Sequence, residues 1–198
     1  MKDLSISAII LAAGRSARMG QFKPLLQVGG QTLIQHAIAV FHQNMIEDII
    51  VVTGHRAADL EAALAHQDVR HVRNTSYSLG MFSSVVTGVR KIPARCQAFF
   101  ILPVDMAFVQ STTISRLIEA FQVNPGRICY PCAANRRGHP PLIPVCMAEA
   151  IVRHNGKGGL RQVLKHWEYR ALDVAVRDRF ILLDLDTPED LLRLGRME

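Results

Sequence analysis

Aromatic residues are scarce in this 198-residue chain, at 6% with a single tryptophan. The scarcity matters because the chain is basic, with a formal net charge of +6. Its lysines and arginines are spread along the sequence without the interleaved stacking rings of a nucleic-acid surface, so no nucleic-acid partner is expected. A site for a highly anionic small molecule explains the charge better. No apolar run approaches the roughly 20 residues of a membrane helix, and no apolar leader with a cleavage site follows Met1. A cytoplasmic protein without a membrane partner is the expectation. Cysteine is limited to Cys96, Cys129, Cys132 and Cys146. Cys129 and Cys132 have Cys-x-x-Cys spacing, but a loop follows them and no second pair completes a zinc site, so reduced structural thiols are expected. Repeats, low-complexity tracts and linkers are also missing. Residues 1–198 therefore read as a single domain able to bury one substantial core.

Strand and helix patterns alternate throughout, which argues for an α/β fold with a mostly parallel sheet. Strands are predicted at 6–11, 49–53, 69–72, 98–104, 127–131, 142–145, 171–176 and 180–183, with a short extended piece at 24–28. Helices are predicted from a Thr32–Gln35 capping box to about Asn44, then at 57–65, 83–91, 147–153 and 160–166. A further helix is capped by Ser111 and runs to about Phe121, and a last one starts at Pro188 behind Thr187. Parallel strands present ligands at their carboxyl ends. Polar, chemically useful residues follow strand after strand: Arg15 to Lys23, then Thr53-Gly54-His55, Asn74 to Ser84, Asp105, and Asp184 to Thr187.

The first of these loops carries the most information. A buried strand empties into Gly14 and Gly20 together with Arg15, Arg18 and Lys23, a combination suited to a polyphosphate. The glycines let backbone amides approach an anion and the cations neutralise it. The loop fits neither the P-loop nor the Rossmann Gly-x-Gly-x-x-Gly spacing. Asp105, at the end of the apolar run 98–104, is well placed to hold a divalent ion, since Mg²⁺ takes oxygen ligands, with a turn or cap aspartate as the alternative. Strand alternation puts Asp184 and Asp186 on one side, so either can be the second metal ligand, with Asp186 favoured. Asp186 with Thr187 and Pro188 also reads as a helix cap. Gly80, Ser83 and Ser84 combine close approach with hydroxyls, with helix N-capping as the lesser alternative for each serine. His139, in a Gly-His-Pro turn after two arginines, points to an anion contact.

Leu11, Ala12, Gly14, Ser16, Arg18, Met19, Gly20 and Lys23 fill every fixed position of Leu-Ala-x-Gly-x-Ser-x-Arg-Met-Gly-x-x-Lys. The chain thus resembles the MobA-like nucleotidyltransferases that act on sugars and molybdopterin. Ala13 at the variable position is similar to the cytidylyltransferase branch that makes molybdopterin cytosine dinucleotide. The resemblance covers nearly the whole chain and implies a three-layer α/β/α Rossmann-like fold of the nucleotide-diphospho-sugar transferase type. It implies CMP transfer from CTP to the terminal phosphate of molybdopterin, with Mg²⁺ as cofactor. Arg18, Lys23 and Asp105 would be catalytic, and Asp105 with Asp186 (or Asp184) would hold the metal. Leu11, Ala12, Ala13, Gly14, Arg15, Ser16, Gly20, Lys23, Thr53, Gly80, Ser83 and Ser84 would bind the nucleotide; Gly138, His139, Pro140 and Arg161 would bind the acceptor. A recipient molybdenum hydroxylase or its maturation chaperone is the protein partner implied. The sequence departs from the family at Val104 and Ala107, where Gly and Pro flank the Asp-Met pair, and at Lys157, where aspartate is common. Transfer from GTP, a sugar or alcohol phosphate acceptor, and a non-catalytic cofactor-binding role are the alternatives.

Overall fold

The computed structural model describes residues 4–16, 19–187 and 189–191. Its centre is an eight-stranded sheet whose inner strands β1, β4 and β6 come from runs that the sequence marks as largely apolar. β1 (Ile6–Leu11), β4 (Asp48–Thr53), β5 (Arg70–Arg73) and β6 (Ala98–Pro103) pair in parallel in the order β6-β1-β4-β5. β9 (Leu142–Pro144) runs antiparallel between β6 and β7 (Ile128–Ala133), and β10 (Ala171–Ala175) adds in parallel to β7. A short β8 (Arg136–Arg137) turns back along β7, while β2 (Gln27–Val28) and β3 (Gln31–Thr32) form a separate hairpin.

Strands of a sheet covered on both faces need no polar alternation, and every residue of β6 is buried. On one face, Ala8, Ile10, Val51, Phe100 and Leu102 pack under α1 (Leu33–His42) and α4 (Ser111–Val123). On the other, Ile9, Leu11, Val52, Phe99 and Ile101 pack under α3 (Met81–Val89), α5 (Ala148–Arg153) and α6 (Gly159–Lys165). α2 (Ala57–Ala63) buries Leu60 in the first of these cores. The result is an α/β/α sandwich with a mostly parallel sheet. α3 lies close to the sheet because Gly88 lacks a side chain: a Cβ there would sit 2.4 Å from Ile9 Cγ2. Among the described residues, no helix is long and apolar enough to cross a membrane.

Three local expectations differ from the structure. Residues 180–183 form no strand; a 3-10 turn spans Arg179–Leu182, because Asp178 Oδ1 accepts from the Phe180 N–H at 2.9 Å and starts the turn. The same carboxylate, through Oδ2, accepts from the Gln110 N–H and the Thr113 hydroxyl, both at 2.8 Å. This supplies the start of α4 from a distant segment, so Ser111 is the first helical residue and not the cap. The extended piece at 24–28 begins instead as a 3-10 turn, Lys23–Leu25, before β2. The Thr32–Gln35 capping box forms as the spacing predicts. Pro188 and residues 192–198 of the expected last helix lie outside the described residues; before them, Asp190 Oδ2 accepts from the Thr187 N–H at 2.9 Å.

All four cysteines are free thiols. Cys129 and Cys132 are three apart on β7, so strand alternation sends them to opposite faces of the sheet and the Cys-x-x-Cys spacing brings no pair together. Burial pushes the Cys129 thiol up to about 11.

Candidate active site

The carboxyl ends of β1 and β6 open into a cavity of about 320 Å³. Its floor is the turn after β1: Leu11, Ala12, Ala13, Gly14, Arg15 and Ser16 all line it. The turn is held to β4 by backbone hydrogen bonds from Ala12 N–H to the Val52 carbonyl and from His55 N–H to the Ala13 carbonyl. Gly54 makes that junction possible, since a Cβ there would lie 2.7 Å from Ala13 Cβ and 3.0 Å from Tyr77 Cβ. Lys23, Pro24, Pro103, Val104 and Asp105 form one end of the cavity, and Tyr77, Gly80, Met81 and Ser84 the other.

The charged end is built on Lys23. Its backbone N–H donates to Ser16 Oγ at 3.1 Å, which folds the first loop over the site. Its ammonium donates to Asp186 Oδ1 at 2.5 Å and to Asp105 Oδ2 at 3.4 Å. The Leu185 N–H donates to the Asp105 carbonyl at 3.0 Å, so the two acidic segments are also joined through the backbone. Asp184 sits beside them. Lost hydration, then the neighbouring Asp105 and Asp186 carboxylates, hold its carboxyl above the usual range, against the opposing pull of His139 and Lys23. Among the described residues no three His, Cys, Asp or Glu side chains gather as a ready-made metal cage. Two carboxylates converging on one cation nevertheless fit a hard divalent ion that takes its remaining ligands from phosphates and water. In this structure both carboxylates pair with the Lys23 ammonium.

The other predicted residues divide. Gly20, Thr53 and Ser83 are not part of the cavity lining. The Thr53 hydroxyl is buried and donates to Glu61 at 2.9 Å, inside a Glu61–Arg73 ion pair that holds the Glu61 carboxyl below its usual range. The Ser83 hydroxyl is bound to the Ser76 and Gly80 carbonyls. Arg18 lies outside the described residues. Arg15 lines the cavity with its guanidinium 5.8 Å from the centre of the Tyr77 ring, a cation–π contact.

The expected acceptor residues lie elsewhere. Gly138 packs against the 179–182 turn so closely that a Cβ would be 2.2 Å from the Ile181 carbonyl oxygen. That seam, with the His139 N–H donating to the same carbonyl at 2.9 Å, carries the His139 ring beneath the acidic group. Burial holds its imidazole below the ordinary value, opposed by a hydrogen bond to the Ile101 backbone and by Asp184 and Asp105. Its Nδ1 is buried and has no hydrogen-bond partner among the described residues. Pro140 is buried and Arg161 is exposed on α6; neither lines the cavity. Arg137, next to this segment, is held by Glu168 and Asp173 and lies 4.6 Å over the Tyr130 ring, a structural arrangement. Tyr77, Met81, Pro24 and Pro103 line the cavity without having been named as site residues from the sequence, as does Val104, noted there only as a departure from the family. Tyr77 and Met81 sit in the same loop as Gly80 and Ser84, but nothing in residue type marks them.

Over 190 residues the chain is 32% identical to the molybdenum cofactor cytidylyltransferase of Escherichia coli K12, covering 95% of this chain and 94% of that one. It is 29% identical to nicotine blue oxidoreductase of Paenarthrobacter nicotinovorans, covering 96% of each. A nucleotidyl transferase from Methanothermobacter thermautotroptrophicus shares the fold, with a TM-score of 0.82 at 24% identity over 98% of this chain and 97% of that chain. Residues 8–173 match the MobA-like NTP transferase domain, and the chain belongs to that family of nucleotidyltransferases.

Proposed function

We propose that the chain transfers CMP from CTP to the terminal phosphate of molybdopterin, forming molybdopterin cytosine dinucleotide and pyrophosphate. The observation that carries this reading is a cavity lined by the turn after β1, by Gly80 and Ser84, and by Lys23 and Asp105, with Lys23 also paired to Asp186. A terminal phosphate oxygen of the acceptor attacks the α-phosphorus of CTP, and the bond to the β-phosphate oxygen breaks as pyrophosphate leaves. The nucleophile is already ionised, so the protein contributes positioning and charge stabilisation. The amides of residues 12–16 would cradle the triphosphate, and Lys23 would move from the carboxylates onto it, with Arg18 as a second cation. Asp105 and Asp186 would hold Mg²⁺, which supplies Lewis-acid stabilisation of the charge on the transferring phosphoryl group. Ala13, Gly80 and Ser84 would face the cytosine. The 32% identity to a cytidylyltransferase supports the choice of CTP.

Pyrophosphate release from CTP or GTP in the presence of Mg²⁺ and molybdopterin tests the proposal. Release with CTP and not GTP is expected. Release with GTP instead moves the chain to guanylyl transfer, and CTP binding without release overturns the acceptor or the chemistry.

A further inference from the structure

The base end of the cavity has a hydrogen-bond polarity that can be worked out by elimination. Asn74 is 3% exposed and directly follows β5. Its Oδ1 faces the Ser76 N–H at 2.9 Å. A backbone N–H can only donate, so the atom facing it is the amide oxygen and the other arm of Asn74 is the NH₂ group. That NH₂ lies 2.8 Å from Ser83 Oγ and 3.0 Å from Ser84 Oγ, and can only donate to them. Each hydroxyl therefore accepts from Asn74, and its own proton goes elsewhere. Ser83 has two carbonyl oxygens for its proton, Ser76 at 3.0 Å and Gly80 at 2.8 Å. Ser84 has no acceptor among the described residues, and it lines the cavity beside Gly80 and Met81.

We propose that Asn74 is a positioning residue that makes Ser84 a hydrogen-bond donor into the cavity, so that the site selects a base edge presenting acceptors. This rests on the nucleotide site described under Proposed function. Cytosine presents O2 and N3, both acceptors. Guanine's pairing edge carries the N1–H and the 2-amino group as donors and only O6 as an acceptor, so at the two positions where cytosine offers N3 and O2 it would set donors against the Ser84 proton. Sites built to pair a polar group discriminate strongly against an analogue that cannot do so. Asn74 needs no contact with the nucleotide for this; it takes one of the two lone pairs of the Ser84 oxygen and leaves the hydroxyl proton for the cavity.

The test is equilibrium binding of CTP and GTP to the full chain and to Ser84→Ala, Asn74→Asp and the double variant. Ser84→Ala is expected to lower the CTP-over-GTP preference by about tenfold, through CTP, as for one net hydrogen bond. Aspartate at 74 accepts the Ser84 proton and turns the hydroxyl's lone pairs to the cavity, so Asn74→Asp is expected to lower the preference at least as far. In the double variant Asn74→Asp adds nothing to the loss of preference, because its effect on preference passes through Ser84. A general weakening of the loop would instead lower both affinities and add in the double variant, which overturns the inference. A wild type that prefers CTP with Ser84→Ala unchanged also overturns it and leaves the proposed function standing. A wild type that prefers GTP or binds neither overturns the proposed function, and the acceptor-edge assignment with it.

Discussion

Replacing Lys23 with methionine tests the charged end of the site directly. The ammonium is 2.5 Å from Asp186 and 3.4 Å from Asp105, its own side chain is 9% exposed, and those of the aspartates are 22% and 23% exposed. Methionine keeps the apolar stem and removes the charge, leaving two carboxylates facing one another. Removing one partner of a buried ion pair costs about 3–5 kcal/mol, whereas exposed pairs contribute about 0–1 kcal/mol. With a fifth of each carboxylate in water, the loss falls between these limits, at about 2 kcal/mol. In a chain of this length that lowers Tm by about 4–8 °C. The vacated position should then accept a divalent ion. For a dissociation constant of about 1 mM, 10 mM Mg²⁺ would return about 1.4 kcal/mol to the variant. The wild type, whose ammonium already holds the position, should gain less. Thermal unfolding of both proteins with and without Mg²⁺ measures each quantity. A variant within about 1 °C of wild type, or equal stabilisation of both by Mg²⁺, would refute the reasoning.

Two further outcomes follow from packing and burial. Gly88→Ala places a methyl 2.4 Å from Ile9 Cγ2 and 3.0 Å from Val52 Cγ2, so urea unfolding should show a loss of about 1–3 kcal/mol; an unchanged midpoint would show that α3 shifts freely on the sheet. His139 is held below its ordinary value of 6.5, so the unfolded chain binds the proton more readily than the folded one. The ring thus contributes a stability loss that is absent well above pH 6.5 and grows as the pH falls below it. Comparing unfolding at pH 7.5 and 5 should show a shallower decline in His139→Gln than in wild type, and equal slopes would place the ring in contact with water.

Much of this protein is local information. The apolar runs that became β1, β4 and β6 need no partner to be recognised, because a strand covered on both faces is apolar at nearly every position. The capping box at Thr32 and the loop from Leu11 to Lys23 are equally local, since backbone amides, glycines and cations act within a few residues of one another. The resemblance to a nucleotidyltransferase rests on such stretches. What tertiary structure decided depends on contacts across long separations. Asp178 starts α4 from 68 residues away, and its other oxygen caps the turn that replaces the expected 180–183 strand. His139 left the solvent because Gly138 fits against Ile181, a contact invisible in a Gly-His-Pro motif. Thr53 sits at a strand end like the other site residues, yet its hydroxyl is taken by Glu61 from the next helix. The sequence by itself determined which residues could serve an anionic nucleotide; the folded chain decided which of them share one cavity, because hydrogen-bond direction and burial are properties of neighbours that only folding brings together.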